Sequence, residues 1–400
     1  MSDDFNVEVM NRLRNTPAIF SALATVTGNE LQRQKQLRRD YDDEIVRAAL
    51  SLHELRERAH RKFTRADEMW FDRVGLEQAT PEDVACHKAK RFDGAVWDLC
   101  CGIGGDAITL AQRCDVTAVD LNPAACLRTE WNGEVYEVAD RVTTRIADVS
   151  EVWNEAISSN AWIHVDPDRR VGRKRSLRIE DGQPNLEALI DLFERGRGGA
   201  AKLSPASNFV GKFPTTEIEL VSLHGECKEA TVWFGELAEP GLWRATALPS
   251  GETIFGDPLD AWAELDDLSE YLYDPDPAVV RAGLVSLLAE QLQISRLDDA
   301  DEYLTADRLV ASPFVRAYQV LAELPNNDRA IRKFVREMNC GQVEIKCRHV
   351  PVQADVVRRK LPLGDGPPAS LIYAKIAGRT KVVVAQRVDQ EEITSPTSAI

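Results

Sequence analysis

The spacing of apolar residues changes along the chain, and each spacing predicts a different kind of element. Between residue 8 and about residue 62, apolar residues recur every three or four positions, as at Ile45, Ala48, Ala49, Leu52 and Leu55, with charged residues between them. This period is that of an amphipathic helix. The sequence therefore predicts an N-terminal helical segment over residues 1–62.

A further helix start is predicted at Thr80-Pro81-Glu82-Asp83. A hydroxyl residue that can cap, Pro at the first helical position and an acid in the first turn are the usual signals. We expect this helix to run to about Lys90.

Beyond residue 94 the pattern becomes one of short apolar runs separated by helical stretches. The runs are AVWDLCC, VTAVDLN, VTTRIADV, AWIHVDPD and GAAKLSPA. Strands that alternate with helices are typical of parallel βαβ units. The following EIELVSLHGECKEATVWFGEL predicts a hairpin turned at His224 and Gly225. We therefore predict an α/β domain over residues 63–250.

The charge pattern divides the rest of the chain. From Asp257 to Arg308 there are fourteen acids and three bases, whereas from Asp328 to Asp389 there are thirteen bases and six acids. We interpret residues 251–318 as an acidic helical connector and residues 319–400 as a small basic α/β domain with a loose tail.

Composition narrows the class of protein. The 400 residues are 44% hydrophobic, which suffices for more than one core. No run of eighteen apolar residues is present, and the acidic N-terminus lacks a signal pattern. Eight cysteines occur without a CxxC motif. We expect a reduced, cytoplasmic protein without a membrane segment or a metal site.

A glycine-rich loop carries the first candidate chemistry. The stretch DLCCGIGGDA contains Gly102, Gly104 and Ala107 in the order G-x-G-x-x-A, between a predicted strand and a predicted helix. Such a loop suits a nucleotide-type ligand. The loop alone fits a nicotinamide dinucleotide, S-adenosylmethionine or a simple tight turn.

Carboxylates at the ends of successive strands separate these alternatives. Asp98 ends the first strand, Asp120 ends the second, Asp148 follows the third, and Asp166-Pro167 follows the fourth. Strand ends of a parallel sheet meet at one edge, where ligands bind. Asp120 can accept hydrogen bonds from ribose hydroxyls in either kind of enzyme. A dinucleotide gains nothing from Asp98 or from the Asp-Pro turn, so the set favours S-adenosylmethionine.

With these residues the chain resembles the class I S-adenosylmethionine-dependent methyltransferases over roughly residues 63–250. The stretches FDRVGLEQATPEDVACHKAKRF, DLCCGIGGDAITLA and VTAVDLNPAACLRTEWNGEVYEVADRV resemble the trimethylguanosine-synthase-like group. The basic C-terminal segment is similar to the THUMP-like domain of bacterial methyltransferases. The resemblance implies a seven-stranded Rossmann-like sheet, S-adenosylmethionine as cofactor and RNA as a partner. The expected cofactor residues are Asp98, Cys100, Gly102, Gly104, Asp120, Leu121 and Asp148.

Two departures from the group limit what the resemblance implies. The cap-modifying relatives carry Asp-Pro-Pro-Trp after the fourth strand, and their Trp stacks on the target guanine, whereas this chain has Asp166-Pro167-Asp168-Arg169. A cap-guanine substrate is therefore not expected. Cys100 stands in place of the usual first glycine, which is tolerable if its φ angle is negative.

The turn after the fourth strand is the candidate catalytic loop, formed by Asp166, Pro167 and Asp168. Its carboxylate and neighbouring carbonyl would hold an amino group toward the sulfonium methyl. Methyl transfer needs a linear approach and little acid–base help, so positioning is the main task. Asp168 either shares this role or pairs with Arg169.

A dense basic run follows this loop in a chain of net charge −16. Six of the eleven residues from Asp168 to Arg178 are Arg or Lys. One interpretation is a rim that contacts the phosphates of a polyanion, with Arg169, Arg170, Arg173, Lys174 and Arg175 as substrate-binding residues. The other is a solvated loop that pairs with the acidic connector.

Three further residue types receive structural interpretations. No cysteine lies in DPDRR or KLSPASNF, so a cysteine nucleophile is not expected. Trp70 and Phe71 either stack on a base or, more simply, pack a lid segment against the sheet. His164 is expected to be a buried, hydrogen-bonded histidine.

These observations predict an enzyme that N-methylates a nucleobase in structured RNA. Two alternatives remain open at this point: a methyltransferase of a protein or a small anionic metabolite, and a non-catalytic RNA-binding protein that retains the fold.

Overall fold

A computed structural model of the protein describes residues 6–168, 170–171 and 174–388. For residues 170, 171, 174 and 175 it describes the backbone alone. Internal contacts divide the chain into two units. The first comprises Met1–Glu217 and Lys228–Gly241, and the second comprises Ile218–Cys227 and Leu242–Ile400.

The first unit begins with four helices: α1 (Val7–Arg14), α2 (Ala18–Thr25), α3 (Glu30–Leu37) and α4 (Asp43–Ala59). The predicted helical segment is thus confirmed. Asn6, Asn29 and Asp42 accept hydrogen bonds at the starts of α1, α3 and α4. The apolar positions of α4 that set its period are buried in one continuous core with β1 residues such as Val96.

Two short helices follow, α5 (Arg73–Gln78) and α6 (Glu82–Ala89). The predicted start of α6 is nearly right, but the predicted cap is wrong. Pro81 occupies the N-cap position, and no side chain caps the helix. The Thr80 hydroxyl instead donates to the buried carboxylates of Asp106 and Glu229, because those groups need donors that water cannot supply.

Alternating strands and helices form the centre of the first unit. The strands are β1 (Ala95–Leu99), β2 (Asp115–Asp120), β3 (Val142–Ile146), β4 (Trp162–Val165), the short β5 (Arg170–Val171) and β6 (Lys174–Arg175), and β7 (Gly198–Leu203). The helices are α7 (Gly105–Ala111), α8 (Pro123–Val135), α9 (Val149–Ser158) and α10 (Leu186–Arg195). Short 3-10 turns span Ala139–Arg141 and Ile179–Asp181.

The predicted hairpin is confirmed by its turn. Strands β8 (Glu217–Leu223) and β9 (Glu226–Gly235) are joined by His224 and Gly225, whose φ angles are 53° and 77°. Positive φ at both central residues is the geometry of a two-residue hairpin turn. The division between the two units falls within this hairpin.

The sheet of the first unit is parallel except at one edge. Its strand order is β9-β7-β4-β1-β2-β3, with β9 antiparallel to β7. The register places Asp98 of β1 beside both Ala118 of β2 and His164 of β4. The α/β class is confirmed. The strand count differs from the seven predicted: six strands of this sheet lie in the first unit, and β8 falls almost wholly in the second.

The second unit continues with β10 (Trp243–Leu248) and β11 (Glu252–Gly256), where β10 is parallel to β8 and antiparallel to β11. Its remaining strands are β12 (Tyr271–Pro275), β13 (Ser295–Arg296), β14 (Leu304–Ala306), β15 (Val315–Pro325), β16 (Val343–Cys347), β17 (Ala369–Ile376) and β18 (Arg379–Arg387). Its helices are α11 (Pro277–Ala282), α12 (Val285–Leu292), α13 (Asp328–Glu337) and α14 (Ala354–Lys360).

Seven of these strands form a mixed sheet in the order β13-β14-β12-β15-β18-β17-β16. Residues 251–318 therefore contain strands as well as helices α11 and α12, so the prediction of a helical connector is incomplete. The alternating Tyr271-Leu272-Tyr273 is a strand pattern that acidic composition concealed. Strand β15 crosses the predicted domain boundary after residue 318. The division of the chain into four parts stays a prediction.

Two features are absent from the residues that the structure describes. No helix there is long and apolar enough to cross a lipid bilayer. Within the same residues, no group of three or more His, Cys, Asp and Glu side chains is arranged to hold a metal ion.

Candidate functional site

A cavity of about 970 Å³ lies at the carboxyl ends of the parallel strands of the first unit. Its volume is in the range of small-molecule and cofactor sites. The structure brings nine predicted site residues together on its wall: Asp98, Cys100, Gly102, Asp120, Leu121, Asp148, Asp166, Pro167 and Asp168. The wall also includes residues of α5 and of the segment 180–185.

The glycine loop forms one side of this cavity. Gly102 has a φ of 57°, and a Cβ atom there would meet nothing within 4 Å. Gly104 has a φ of 82° and is the N-cap of α7, where a Cβ would lie 2.9 Å from Thr129 Cγ2. Gly102 thus keeps the wall open toward the cavity, whereas Gly104 permits α7 and α8 to pack closely.

Cys100 does not meet the condition of a negative φ under which its place in the loop would be tolerable. Its φ is 64°, in the left-handed region that favours glycine. The chain turns out of β1 at this residue, and the Cys101 backbone N–H donates to the Val119 carbonyl of β2. Burial and then the Asp120 carboxylate raise the pKa of the Cys100 thiol, so it is not a thiolate at neutral pH.

Asp120 holds the loop and the next helix in register. Its Oδ2 accepts from the Gly102 N–H at 2.9 Å, and its Oδ1 accepts from the Asn122 N–H at 2.9 Å. Burial raises the pKa of this carboxyl despite the two backbone donors. Asn122 in turn caps α8 through the Ala124 N–H, with Pro123 at the first helical position.

Asp148 and Leu121 line the more open end of the cavity. Asp148 is exposed and caps α9, accepting from the backbone N–H and the hydroxyl of Ser150 at 2.8 and 2.6 Å. The Ser150 hydroxyl and N–H lower the pKa of Asp148. Leu121 is 66% exposed although it is apolar, so it offers a contact surface to a ligand.

Asp98 and His164 form a buried pair at the wall of the cavity. Asp98 is 1% exposed and His164 is fully buried, and Asp98 Oδ1 lies 2.6 Å from His164 Nδ1. Asp98 Oδ2 is buried without a hydrogen-bond partner among the described residues. His164 is buried and hydrogen-bonded as expected, although its Nε2 has no hydrogen-bond partner among the described residues and lies 4.0 Å from Asp106 Oδ1.

Asp166 is paired with a residue that the sequence analysis missed. Lys202, near the end of β7, donates to Asp166 Oδ2 at 2.6 Å and to the Gln78 carbonyl at 2.9 Å. Lys202 is 7% exposed and lines the cavity. A lysine within the apolar run GAAKL was the available signal, since a strand that is buried along its length seldom carries an unpaired charge.

A second buried charge cluster lies behind this pair. Lys88 of α6 approaches Asp106 Oδ1 at 2.9 Å and Glu229 Oε1 at 2.7 Å, and all three side chains are less than 10% exposed. Although burial opposes it, the two carboxylates raise the pKa of Lys88. The partners lie up to 141 residues apart, so no local sequence pattern predicts the cluster.

The catalytic-loop candidate is hydrogen-bonded to the segment 180–185 of the cavity wall. Asp168 and Gln183 exchange two backbone hydrogen bonds of 3.0 and 2.8 Å. Of the predicted basic rim, Arg169 and Arg173 lie outside the described residues. The backbone of Arg170, Lys174 and Arg175 forms the two-stranded ribbon β5–β6.

The packing interpretation of Trp70 and Phe71 is supported. Phe71 is 3% exposed, and Trp70 packs edge-on against Trp131 with ring centroids 4.6 Å apart. Neither residue lines the cavity. Trp153 of α9 does line it, and sequence reasoning did not single it out.

Comparison with known proteins identifies the site's family. The chain is 33% identical over 323 residues to an uncharacterized S-adenosylmethionine-dependent methyltransferase of Mycobacterium tuberculosis, as found in strains CDC 1551 / Oshkosh and ATCC 25618 / H37Rv. The match covers 79% of this chain and 87% of each relative. This chain belongs to the S-adenosylmethionine-dependent methyltransferases.

Two family models match parts of the chain, and one solved structure shares its fold. A model of RNA cap guanine-N2 methyltransferases matches residues 94–167, and a THUMP-domain-like model matches residues 315–387. The crystal structure of a candidate methyltransferase from Porphyromonas gingivalis W83 has a TM-score of 0.76 and 19% identity, covering 96% of this chain and all of that one. That likeness confirms the fold.

The cavity of the methyltransferase fits S-adenosylmethionine, the cofactor of this family. Asp98 Oδ2, buried at the wall without a described partner, suits an ammonium group. The carboxylate oxygens of Asp120 each accept one hydrogen bond in the loop and retain a lone pair for hydroxyl groups. The open space over Gly102 leaves room for the ligand's body.

Proposed function

We propose that this methyltransferase N-methylates a nucleobase in RNA. The observation that carries the proposal is the position of Asp166. It follows β4 at the cavity wall, and the buried Lys202 of β7 holds its carboxylate in place. The partial match to RNA cap guanine-N2 methyltransferases and the THUMP-like match in the second unit support RNA as the substrate class.

The cofactor roles follow from the geometry of the loop. Asp98 accepts from the ammonium of S-adenosylmethionine, and Asp120 accepts from its ribose hydroxyls. Cys100 and Gly102 provide the backbone wall, and Leu121 and Asp148 border the adenine. Gly104 acts indirectly, by letting α7 pack against α8. When bound, the cofactor supplies an electrophilic methyl group on a sulfonium sulfur.

Asp166 orients the acceptor. Its Oδ2 is engaged by Lys202, and a second oxygen is available to accept a hydrogen bond from an amino group in the cavity. This bond fixes the amino nitrogen so that its lone pair faces the methyl carbon. The bound cofactor would supply the methyl carbon to this nitrogen and would keep the C–S electron pair on its sulfur, and the nitrogen would lose a proton to water. Pro167 stiffens the turn, and Asp168 anchors it to Gln183.

The charge of the cavity disfavours one alternative. Among the residues that the structure describes, nine acidic ones line it, namely Asp72, Asp98, Asp106, Asp120, Asp148, Asp166, Asp168, Glu180 and Asp181, against Arg195 and Lys202. A small anionic metabolite would enter a negative potential. A neutral base enters at lower cost, and the basic run of Arg169, Arg170, Arg173, Lys174 and Arg175 would contact the phosphates of its backbone.

A labelled-methyl transfer assay tests this function. The full-length protein is incubated with labelled S-adenosylmethionine and extract of cells that lack its gene, and portions are then treated with ribonuclease or protease. Label that ribonuclease releases supports the proposal. Label that only protease releases, or that stays in small molecules, overturns it. Binding of RNA and S-adenosylmethionine without transfer would favour the non-catalytic alternative.

The matched variant is Asp166→Asn. It keeps the size of the side chain but weakens both the pairing with Lys202 and the acceptance of an amino N–H. We expect transfer to fall by about 10²-fold or more while S-adenosylhomocysteine binding persists.

A further inference from the structure

Lys202 presents an unused hydrogen-bond donor at the cavity. An ammonium group has three N–H donors. Two of them reach Asp166 Oδ2 and the Gln78 carbonyl, and no described residue accepts the third. The side chain is 9% exposed and lines the cavity. A buried donor of this kind needs a partner, which a bound ligand can provide.

The surroundings of Lys202 keep it a cation. Asp166 contacts it directly, and Asp106 and Glu229 lie in the charge cluster behind it. Burial alone would lower the pKa of Lys202, but these carboxylates raise it above its ordinary value. Lys202 therefore acts as a fixed donor and not as a base.

The donor and the neighbouring carboxylate form a pair of complementary groups. The Lys202 nitrogen lies 2.6 Å from Asp166 Oδ2, so the third N–H of Lys202 and the second oxygen of Asp166 lie next to each other at the cavity. Asp166 can accept from an amino group while Lys202 donates to the atom beside it. A ligand that offers both satisfies both groups, and a lone amine leaves Lys202 unsatisfied.

We propose that Lys202 is a specificity-determining residue that reads the hydrogen-bond acceptor next to the methylated amino group. This proposal rests on the proposed function and narrows its substrate to an exocyclic amino group beside an unprotonated ring nitrogen. Adenine, cytosine and guanine each offer such an edge. Uracil, the ribose hydroxyl and a lysine side chain do not.

The product of the reaction tests this proposal. Total RNA from cells that lack the gene is methylated with labelled S-adenosylmethionine, digested to nucleosides and analysed by chromatography and mass spectrometry. Label on an exocyclic amino nitrogen is the expected result. Label on a ring nitrogen, a carbon or the ribose oxygen overturns the inference but leaves RNA as the substrate. Absence of label from RNA overturns the proposed function itself.

Variants of Lys202 test its role. Lys202→Met removes the donor, and we expect transfer at saturating RNA to fall by about 10- to 100-fold, the range for losing a charged hydrogen bond. Lys202→Arg and Lys202→Gln keep a donor and should retain more activity than the Met variant. S-adenosylhomocysteine affinity should stay within about threefold of wild type, because Lys202 reads the acceptor and not the cofactor.

Lys346→Met provides the control for breaking a buried Lys–Asp pair. Lys346 bonds Asp274 at 2.5 Å in the second unit. This variant should lower the melting temperature without changing the rate of transfer at saturating RNA. Should Lys202→Met fail to fold, the Gln and Arg variants decide. Equal transfer in wild type and every folded Lys202 variant would overturn the proposal.

Discussion

Asp98 and His164 stand side by side on neighbouring strands, and their side chains meet at 2.6 Å in a site that water does not reach. One oxygen of Asp98 faces His164, and the other has no described partner. Burial raises the pKa of Asp98 even though His164 opposes this shift. The pair therefore costs free energy that a bound cation at the cavity wall can recover.

The first prediction concerns this pair. His164→Leu removes the partner of a buried carboxylate, so the free energy of unfolding should fall by about 3–5 kcal/mol. In an Asp98→Asn background the same change should cost less, because a neutral amide is cheaper to bury. Urea unfolding of the four proteins gives the coupling. Equal costs in both backgrounds would show that Asp98 does not depend on His164.

The second prediction concerns cofactor binding. Asp120→Ala removes the acceptor of the Gly102 and Asn122 N–H groups together with the ribose ligand of our proposal. We expect S-adenosylhomocysteine affinity to fall roughly 10- to 100-fold in calorimetry. Asp115→Ala is the control, since Asp115 begins the same strand and its side chain is 79% exposed. An unchanged affinity in Asp120→Ala would remove Asp120 from the site.

The third prediction concerns the left-handed residue in the loop. Cys100→Gly relieves the strain of a side chain at a φ of 64°. We expect the free energy of unfolding to rise by about 0.5–1 kcal/mol in urea titrations, after the entropy cost of glycine is subtracted. Cys126→Gly, inside α8, should instead destabilise the protein by about 1 kcal/mol or more. A destabilised Cys100→Gly would mean that the thiol packs more favourably than its backbone is strained.

The fourth prediction is a pH dependence in the second unit. Asp274 is buried, which would raise its pKa, but Arg348 and Lys346 hold the pKa below its ordinary value. Its side chain is 10% exposed, and both cations contact it at 2.5 Å. The folded-state pKa thus lies below the unfolded one. The stabilisation is complete above a pH of about 4 and is lost as the pH falls through the folded-state pKa.

Asp274→Asn tests this sign. At pH 7 the variant should be less stable than wild type by about 3 kcal/mol, because two cations lose their partner. The difference between the two proteins should shrink when urea unfolding is repeated near pH 3. Asp355→Asn, whose side chain is 87% exposed, should change stability by less than about 0.5 kcal/mol. A difference that grows toward acid would contradict the assignment.

Much of the cavity wall could be predicted because its residues follow local rules. Asp98, Asp120, Asp148 and Asp166 each end or follow a strand, and parallel strands bring those ends to one edge. Gly102 could be predicted for the same reason, since a tight turn depends on a few neighbouring residues.

Residues whose partners are distant in sequence could not be predicted. Thr80 looks like a helix cap, yet its hydroxyl serves Asp106 and Glu229 because the fold buries those carboxylates nearby. Cys100 takes a positive φ because the turn out of β1 requires one there, although the residue is not a glycine. The strands after residue 250 were not predicted, because an acidic composition does not indicate which segments pair into a sheet.

The sequence by itself determined the α/β alternation, the order of strand-end carboxylates and the turns that short-range chemistry specifies. Only the tertiary structure decided that Lys202 meets Asp166, that Lys88 is enclosed by Asp106 and Glu229, and that His164 faces Asp98. The physical reason is that a charge's partner is set by burial and by which strands adjoin. Those depend on the whole chain, whereas caps, turns and periodicity depend on a few successive residues.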